Sequence, residues 1–379
     1  MKKIIIRISL SVAIVLVIVI VMAPAHYRMA IIHGHANIDD YRIFTNRIVK
    51  NAQPIPWQHD STYNLLKIKP DQLVKFDSLG TTAFVVIRDK KLVHEEYWDG
   101  GSDTTRSNSF SAAKSIISIL IGCLYDEGKI KSFDQPVTDF LPEFTNTNGF
   151  TLRIKDLLTM SSGIDWDEGY SSLFSPTTKA YYGKNLAEQV LALEVKSQPG
   201  VLFEYQSCDT QLLALTVEKV SGKSVSEFAS EKLWKPLGAE HPALWSVDRN
   251  DGVEKAYCCF NSTALDFARI GQMVLDSGQF NNHQIVSKAY IEQATTPATM
   301  LRGEDGDSCY YYGYQFWMLT HKGNQVIYAR GILGQYIFII PAINAVVVRL
   351  GTDRSKEYHN HAPKDVFTYL DEAYRILGK

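Results

Sequence analysis

The sequence lacks several signatures by which active sites are often recognised. It contains no GxSxG nucleophile elbow, no HExxH metal pair, no Walker loop and no GxGxxG fingerprint, so sites that require those motifs have no support. Basic residues number 39 and acidic residues 41, without the basic excess that is typical of nucleic-acid binders. The 5 cysteines, an odd count at irregular spacing with no CxxC, do not form a disulfide framework.

The composition of the chain is that of a packed globular protein. Of its 379 residues, 45% are apolar and 21% are charged. This composition excludes a disordered tail, a collagen and a disulfide miniprotein. The length allows two or three small domains, or one large enzyme domain with an inserted lobe.

The first 25 residues predict the compartment. Three basic residues within the first seven precede an almost uncharged run, Ile8–Ala25. A run of about 18 apolar residues is at the lower limit for spanning a bilayer, whereas the core of a cleaved signal peptide is usually about 7–15 residues long. We therefore predict that residues 1–25 are a signal anchor, or else a signal peptide cut near Ala23-Pro24-Ala25. The body would be exported, held to the membrane through residues 8–25 (periplasmic in a Gram-negative source), or secreted if the signal is cut.

The order of the periodic segments predicts an α+β fold. Strand patterns occur at 83–88, 92–98, 325–330, 335–340 and 345–350, helix patterns at 107–128 and 364–377, and a mostly helical stretch at about 130–300. This order is not the alternation of a parallel βαβ sheet. We therefore expect the first and last strands to share one antiparallel sheet, flanked by helices and interrupted by an inserted helical lobe. Residues 26–64 would form a juxtamembrane segment.

Ser111-Ala-Ala-Lys114 is the first candidate for chemistry. A serine and a lysine three residues apart lie on the same helix face, and the helix predicted here is the most apolar one in the body of the chain. A serine in its first turn would lie at the positive end of the helix dipole, and a buried lysine could act as a base near neutral pH. About one SxxK is expected by chance in a chain of this size, so the motif alone can be coincidental.

Tyr205-Gln-Ser207 is the second candidate, because a tyrosine near a Ser/Lys pair can pass a proton to a leaving group. Tyr170 and Tyr358 stand in similar Y-x-[SN] patterns. Tyr205 is preferred because Gly200 precedes it and a helix follows, which places it on a loop. A tyrosine packed at the start of a helix is the alternative interpretation.

The third candidate is the glycine-containing run Ala329–Tyr336 between two predicted strands. Gly331 and Gly334 permit a close approach of the backbone to a ligand. The N–H of Ile332 could then form one half of an oxyanion hole, with the N–H of Ser111 as the other half. An ordinary β-turn is the alternative.

With these three motifs in this order, the chain resembles the serine β-lactamase and penicillin-binding-protein superfamily. The resemblance covers about residues 65–379. Phe203–Leu213 and Gly313–Trp317 are most similar to the β-lactamase-related serine hydrolases that include 6-aminohexanoate-dimer hydrolases and esterases. It implies a β-lactamase/transpeptidase-like fold that requires no metal and no organic cofactor.

The resemblance also implies a mechanism. Lys114 would act as the base for the nucleophile Ser111, and Tyr205 would help to protonate the leaving group. The N–H groups of Ser111 and Ile332 would hold the oxyanion. The expected substrate-binding residues are Tyr170, as an extra donor, Ser207 and Gly331. The implied reaction is hydrolysis of an amide or ester bond of a small molecule through an acyl-enzyme.

Two departures from the family pattern bear on the substrate. Ser207 stands where β-lactamases usually have Asn, and Ala329 stands where a cation would bind a substrate carboxylate. The neighbouring Arg330 is expected to point to the opposite face of its strand. Because penicillins and D-Ala-D-Ala peptides carry that carboxylate, the missing cation disfavours both activities. A β-lactamase or D-Ala-D-Ala carboxypeptidase is therefore the alternative and not the leading hypothesis. A non-catalytic envelope-binding protein that uses the same cleft is a second alternative.

The remaining reactive side chains have simpler interpretations. His33-Gly-His35 and His359-Asn-His361 could pair on a metal, but the sequence places no third ligand near them, so we predict no metal site. Cys258 and Cys259 are adjacent. Because vicinal disulfides are strained, we expect packed thiols or pairing elsewhere.

Overall fold

The computed structural model describes residues 22–170 and 172–379, which form an α+β body around one large sheet. The helices are α1 Ala25–His33, α2 Pro70–Ser78, α3 Ala113–Asp126, α4 Ile154–Leu158, α5 Pro176–Tyr182, α6 Leu186–Leu191, α7 Ser207–Ser221, α8 Val225–Ala229, α9 Ala264–Leu275, α10 Lys288–Ala294 and α11 Asp365–Ile376. The strands are β1 Asn46–Val49, β2 Gln58–His59, β3 Thr81–Arg88, β4 Lys91–Tyr97, β5 Ser107–Asn108, β6 Ala243–Ser246, β7 Phe260–Ser262, β8 Gln279–Phe280, β9 His283–Gln284, β10 Trp317–His321, β11 Asn324–Arg330, β12 Tyr336–Ile340, β13 Ala345–Gly351, β14 Tyr358–His359 and β15 Ala362–Pro363.

The large sheet joins the two ends of the described chain. Its strand order is β10-β11-β12-β13-β3-β4-β2. Neighbouring strands are antiparallel, except that the two-residue β2 runs parallel to β4. Early and late strands therefore share one sheet, which confirms the α+β prediction. A second, antiparallel sheet, β1-β6-β7-β5, takes β6 and β7 from the stretch that the sequence predicts to be mostly helical.

Burial on both faces explains the unbroken apolar sequences of the central strands. In β13, Val346 and Val348 belong to the core that contains α3 and α9, whereas Ala345 and Val347 belong to the core that contains α11. A strand covered on both faces reads as a continuous apolar run. The same arrangement buries α3 from Ala113 to Leu124, as its apolar character on nearly every side predicts.

The predicted helix that carries the SxxK motif begins six residues later than expected. Ser107 and Asn108, which resemble helix caps, form β5 instead and pair with β7. The side chain of Asn108 accepts hydrogen bonds from the amides of Phe110 and Cys259. A short 3-10 turn, Phe110–Ala112, then leads into α3. The polar side chains are thus used by a neighbouring segment, which the local pattern does not show.

The segment before the main sheet packs against the body. Strand β1 pairs with β6, β2 pairs with β4, and Trp57 donates from Nε1 to the carbonyl oxygen of Leu265 at 3.0 Å. Most of the predicted anchor or signal, residues 1–21, lies outside the described residues. Over the parts of the chain that the structure does describe, no helix has both the length and the apolar content needed to cross a bilayer.

Gly122 marks a close approach between α3 and α10. A Cβ atom on it would lie 2.5 Å from a ring carbon of Tyr290, and the Tyr290 hydroxyl is held by the carbonyl of Ser118 at 2.6 Å. We expect Gly122→Ala to lower the free energy of unfolding by about 1–3 kcal/mol, because overpacking outweighs the gain in helix propensity of about 1 kcal/mol. Chemical denaturation would measure this change. In a Tyr290→Ala background the loss should be smaller, because the clash with the ring is removed while the close approach to Cγ2 of Val286, at 2.7 Å, remains. An equal or larger loss there would contradict the packing explanation.

Candidate active site

Ser111 lines a cleft between the large sheet and the helical part of the chain. It stands in the 3-10 turn directly before α3, and its residue surface is 8% exposed. Phe110, the residue before it, has a φ of +44°, a left-handed conformation that is uncommon for a bulky side chain. The N–H of Phe110 is held by Oδ1 of Asn108 at 2.9 Å. Asn108 in turn accepts from the N–H of Cys259 at 3.1 Å, so a local bond and a tertiary bond together hold the backbone that presents Ser111.

Lys114 is almost completely buried, at 1% exposure, one helical turn after Ser111. Its Nζ lies 3.2 Å from Oγ of Ser111, 3.0 Å from Oγ of Ser207 and 2.9 Å from the carbonyl oxygen of Tyr257. Burial lowers the pKa of Lys114 to about 8, although the charge of Glu168 acts in the opposite direction. A lysine that is partly unprotonated near neutral pH therefore contacts the candidate nucleophile.

Glu168 is a residue of the cleft that the sequence motifs did not identify. Its carboxylate accepts hydrogen bonds from the N–H of Ser207 at 2.7 Å and from Oγ of Ser207 at 2.5 Å. It also accepts from Nε1 of Trp166 at 2.7 Å and from the hydroxyl of Tyr170 at 2.5 Å. These donors fix the carboxylate beside Ser207, which itself contacts Lys114. In the sequence, the sole signal for Glu168 is its position two residues before Tyr170.

The two tyrosines singled out in the sequence, Tyr205 and Tyr170, both line the cleft. Burial raises the pKa of Tyr205 above its ordinary value, and a hydrogen bond with Ser111 acts in the opposite direction. Burial of its hydroxyl likewise raises the pKa of Tyr170, and the charge of Glu168 adds to this effect. Both hydroxyls therefore keep their protons at neutral pH. Tyr205 faces Ser111, whereas Tyr170 donates to Glu168.

The turn after β11 brings a free backbone amide to the same cleft. A Cβ atom on Gly331 would lie 2.4 Å from the carbonyl oxygen of Ser109, so a glycine is needed where the two backbones meet. The carbonyl of Ile332 accepts from Nε of Arg354 at 2.7 Å. Among the described residues, the N–H of Ile332 has no hydrogen-bond acceptor. This amide can therefore bind a substrate oxygen in the cleft that Ser111 lines.

Two cavities meet at Ser111. The first, which we call the α1 cavity, has a volume of about 490 Å³ and is lined in part by α1 and α5. The second, the arginine cavity, has a volume of about 380 Å³ and is lined in part by Arg330 and Trp317. Both volumes are typical of small-molecule sites. The residues that line both cavities are Ser111, Tyr170, Ile332 and Arg354.

Arg330 follows the predicted alternation of its strand and still lines the cleft. Its guanidinium lies 3.4 Å from the ring centre of Trp317, and it reaches the arginine cavity because β11 ends there. Arg354 lines the same cavity and donates from Nη1 to the hydroxyl of Tyr358 at 2.7 Å. In the described part of the chain, neither arginine forms an ion pair, although the exposed carboxylate of Glu304 also lines this cavity. The sequence motifs did not identify this pair of cations.

Cys258 and Cys259 form a disulfide, so the expectation of packed thiols or pairing elsewhere was wrong. Cys259 adopts a φ of +66°, and its N–H donates to Oδ1 of Asn108 at 3.1 Å. Tertiary contacts thus hold the turn that the adjacent pair requires. Tyr257, directly before it, supplies the carbonyl that contacts Lys114. The cysteines Cys123, Cys208 and Cys309 are buried and free.

The residues that the structure describes contain no cluster of three or more histidine, cysteine or acidic side chains that could hold a metal ion. His361, from one of the two histidine pairs, instead lies 3.1 Å from a carboxylate oxygen of Asp305 through Nε2. Its ring stacks on Tyr311 with the ring centres 3.7 Å apart.

The sequence of this chain matches a known protein family. The family model described as Beta-lactamase matches residues 71–368. A 6-aminohexanoate-dimer hydrolase of Paenarthrobacter ureafaciens is 29% identical over 300 residues, which cover 75% of this chain and 75% of that protein.

Solved structures share the fold. A Bacillus anthracis structure, provisionally described as a 6-aminohexanoate-dimer hydrolase, has a TM-score of 0.76 and 22% identity, covering 90% of this chain and 93% of that one. A family VIII carboxylesterase has a TM-score of 0.62 and 16% identity, covering 82% of this chain and 99% of that one. At these identities the similarity shows the β-lactamase/transpeptidase-like fold alone. Because the family model matches most of its length, the chain belongs to the beta-lactamase family and is a serine hydrolase.

Proposed function

We propose that the protein hydrolyses an amide or ester bond of a small molecule through an acyl-enzyme on Ser111. The observation that carries the proposal is the buried Lys114, whose Nζ lies 3.2 Å from Oγ of Ser111 and whose pKa is lowered to about 8. General-base activation of a serine needs a base with a pKa near the operating pH. The similarity to a protein named 6-aminohexanoate-dimer hydrolase supports an amide as the target bond.

In the acylation step, neutral Lys114 accepts the proton of Ser111 while Oγ attacks the carbonyl carbon of the substrate. The protonated amine is then stabilised by Oγ of Ser207 and by the charge of Glu168. The N–H groups of Ser111 and Ile332 bind the negative charge that develops on the carbonyl oxygen.

Tyr205 serves the leaving group. Because burial raises its pKa, it retains a proton at neutral pH, and it lines the same cavity as Ser111. It donates this proton to the departing nitrogen or oxygen and regains one from protonated Lys114. Water then attacks the acyl-enzyme with Lys114 as base, and collapse of the intermediate returns the proton to Oγ of Ser111.

Tyr170 has a different proposed role from the extra donor that the family resemblance implies. Its proton is committed to Glu168 at 2.5 Å. Toward the cleft its hydroxyl therefore presents lone pairs, which can accept a hydrogen bond from the N–H of an amide substrate.

Export and attachment to a membrane through residues 8–25 remain part of the proposal and rest on the sequence. The hydrolase domain would then act outside the cytoplasm on a small-molecule substrate. Cleavage of the signal would release it as a secreted enzyme.

A fluorophosphonate probe should form one covalent adduct on the wild-type protein and none on Ser111→Ala or Lys114→Ala. The reason is that this probe reacts with an activated serine hydroxyl, and Lys114 is the proposed activating base. Intact mass spectrometry would measure the adduct. Glu304→Gln, which changes an exposed carboxylate of the cleft, is the matched control and should still react. A folded wild-type protein without an adduct would contradict the proposal and favour a non-catalytic binding protein.

The value of kcat/KM should rise with pH through about 8 and level off above it, because only neutral Lys114 can accept the proton of Ser111. Glu168→Gln removes a negative charge that raises this pKa, so the rising limb should move to lower pH. Glu304→Gln should leave the limb in place. Initial rates of p-nitrophenyl acetate hydrolysis across this pH range would measure both effects. A shift to higher pH in Glu168→Gln would disprove the coupling.

The two arginines of the cleft favour a β-lactamase or D-Ala-D-Ala carboxypeptidase as a second candidate. Both substrate types carry a carboxylate, and Arg330 and Arg354 lack an ion-pair partner in the described part of the chain. A fluorescent penicillin should then label Ser111, and labelling should weaken in Arg330→Met and in Arg354→Met. A wild-type protein that reacts with the fluorophosphonate and not with the penicillin would exclude this candidate.

A further inference from the structure

The α1 cavity differs in chemistry from the arginine cavity on the other side of Ser111. Much of its buried wall is formed by aromatic side chains. Of its histidine, acidic and basic members, His35, Asp353 and Lys356 are exposed, and Arg354, which both cavities share, is partly buried. A cavity with an apolar buried wall and charges toward its mouth favours an apolar group.

Three tyrosine rings form part of this wall, namely Tyr181, Tyr182 and Tyr257. The hydroxyl of Tyr181 donates to the carboxylate of Asp40 at 2.7 Å, and that of Tyr182 donates to the carbonyl of Gly34 at 3.0 Å. Because these hydroxyls are already bonded, the two residues offer the cavity mainly ring carbon. The buried hydroxyl of Tyr257 has no partner among the described residues, so it marks a point where the wall can bond a polar atom.

Helix α1 forms one wall of the cavity through Ala30, its buried residue. Contact between the rings of Tyr27 and Phe174, with centres 5.6 Å apart, joins α1 to the loop before α5. Phe174, which follows the lining residue Leu173, is 81% exposed, so apolar surface continues outside the cavity on the side of this loop. Exposed apolar residues grouped beside a cavity are typical of a binding site for an apolar group.

The position of Tyr205 indicates which part of the substrate each cavity would bind. Tyr205, the proposed proton donor to the leaving group, lines the arginine cavity and not the α1 cavity. A substrate carbonyl at Ser111 therefore places its leaving group in the arginine cavity. The acyl part is left to the α1 cavity.

From these observations we propose that the α1 cavity binds the acyl part of the substrate and selects linear, mainly apolar acyl chains of medium length. The inference rests on the proposed acyl-enzyme at Ser111. The leaving group, beside Arg330 and Arg354, is polar or anionic. The substrate class is thus a medium-chain acyl amide or acyl ester.

The test is the dependence of kcat/KM on chain length for p-nitrophenyl esters from acetate to decanoate, kept below their micellar concentrations. All of these esters share one leaving group, so differences report on the acyl part. Burial of each added methylene can raise kcat/KM by up to about fourfold until the cavity is full. Hexanoate has several more methylenes than acetate, so even partial burial of them should make its kcat/KM at least about tenfold higher.

A flat or falling series in a protein that still forms the fluorophosphonate adduct would overturn this inference and leave the proposed function intact. Failure to form the adduct, together with no ester hydrolysis, would overturn both. The adduct therefore distinguishes the two failures.

Substitutions in the wall should change the chain-length series in opposite directions. Ala30→Leu fills the cavity and should reduce kcat/KM for octanoate at least about fivefold relative to acetate. Leu333→Ala enlarges the cavity and should move the optimum to a longer chain. Ala52→Leu, at an exposed alanine outside the cavity, is the matched control and should keep the wild-type series. Equal losses for all esters in Ala30→Leu, with an unchanged optimum in Leu333→Ala, would overturn the assignment.

Discussion

The removal of one lysine amine from water is the constraint on which this site depends. Burial makes the charged form of Lys114 less favourable, which lowers its pKa toward neutrality. In the proposed role as base the neutral amine takes up a proton, and the buried charge that results would be costly without partners. The hydroxyl of Ser207 and the carbonyl of Tyr257 supply the acceptors, and Glu168 supplies charge through its contact with Ser207.

These partners come from distant parts of the chain, and the fold brings them to one amine. Helix α3 carries Lys114 through the core between the large sheet and the lobe. Ser207 begins α7, and Glu168 lies on a loop. Tyr257 is held directly before the disulfide, whose turn is bonded to Asn108, close to Ser111 in the sequence. Each contact is local in space, but none except that between Lys114 and Ser111 is local in sequence.

One side of the cleft is formed by α1 and the residues that follow it, a segment without a candidate catalytic residue. The segment from α1 to Asp40 forms one side of the α1 cavity through Ala30 and residues 34–36. Hydrogen bonds from Tyr181 and Tyr182 hold this segment at Asp40 and Gly34. A stretch that resembles a simple spacer after an apolar run is therefore part of the candidate substrate site. In the proposed acyl-binding role of this cavity, specificity depends on contacts between α1 and α5, which both line it.

The sequence by itself determined the fold class and singled out polar residues that the fold brings to one cleft, because these depend on local periodicity and on short motifs. Strand patterns at both ends predicted the shared sheet, and SxxK with Y-x-S predicted Ser111, Lys114 and Tyr205. The tertiary structure alone decided the disulfide, the contacts of Glu168 and the approach of Arg330 to the cleft. Each of these depends on segments that meet only after folding, such as the turn held by Asn108. The sequence of a single segment does not show which partners it will meet, because burial and hydrogen bonding are properties of the packed chain.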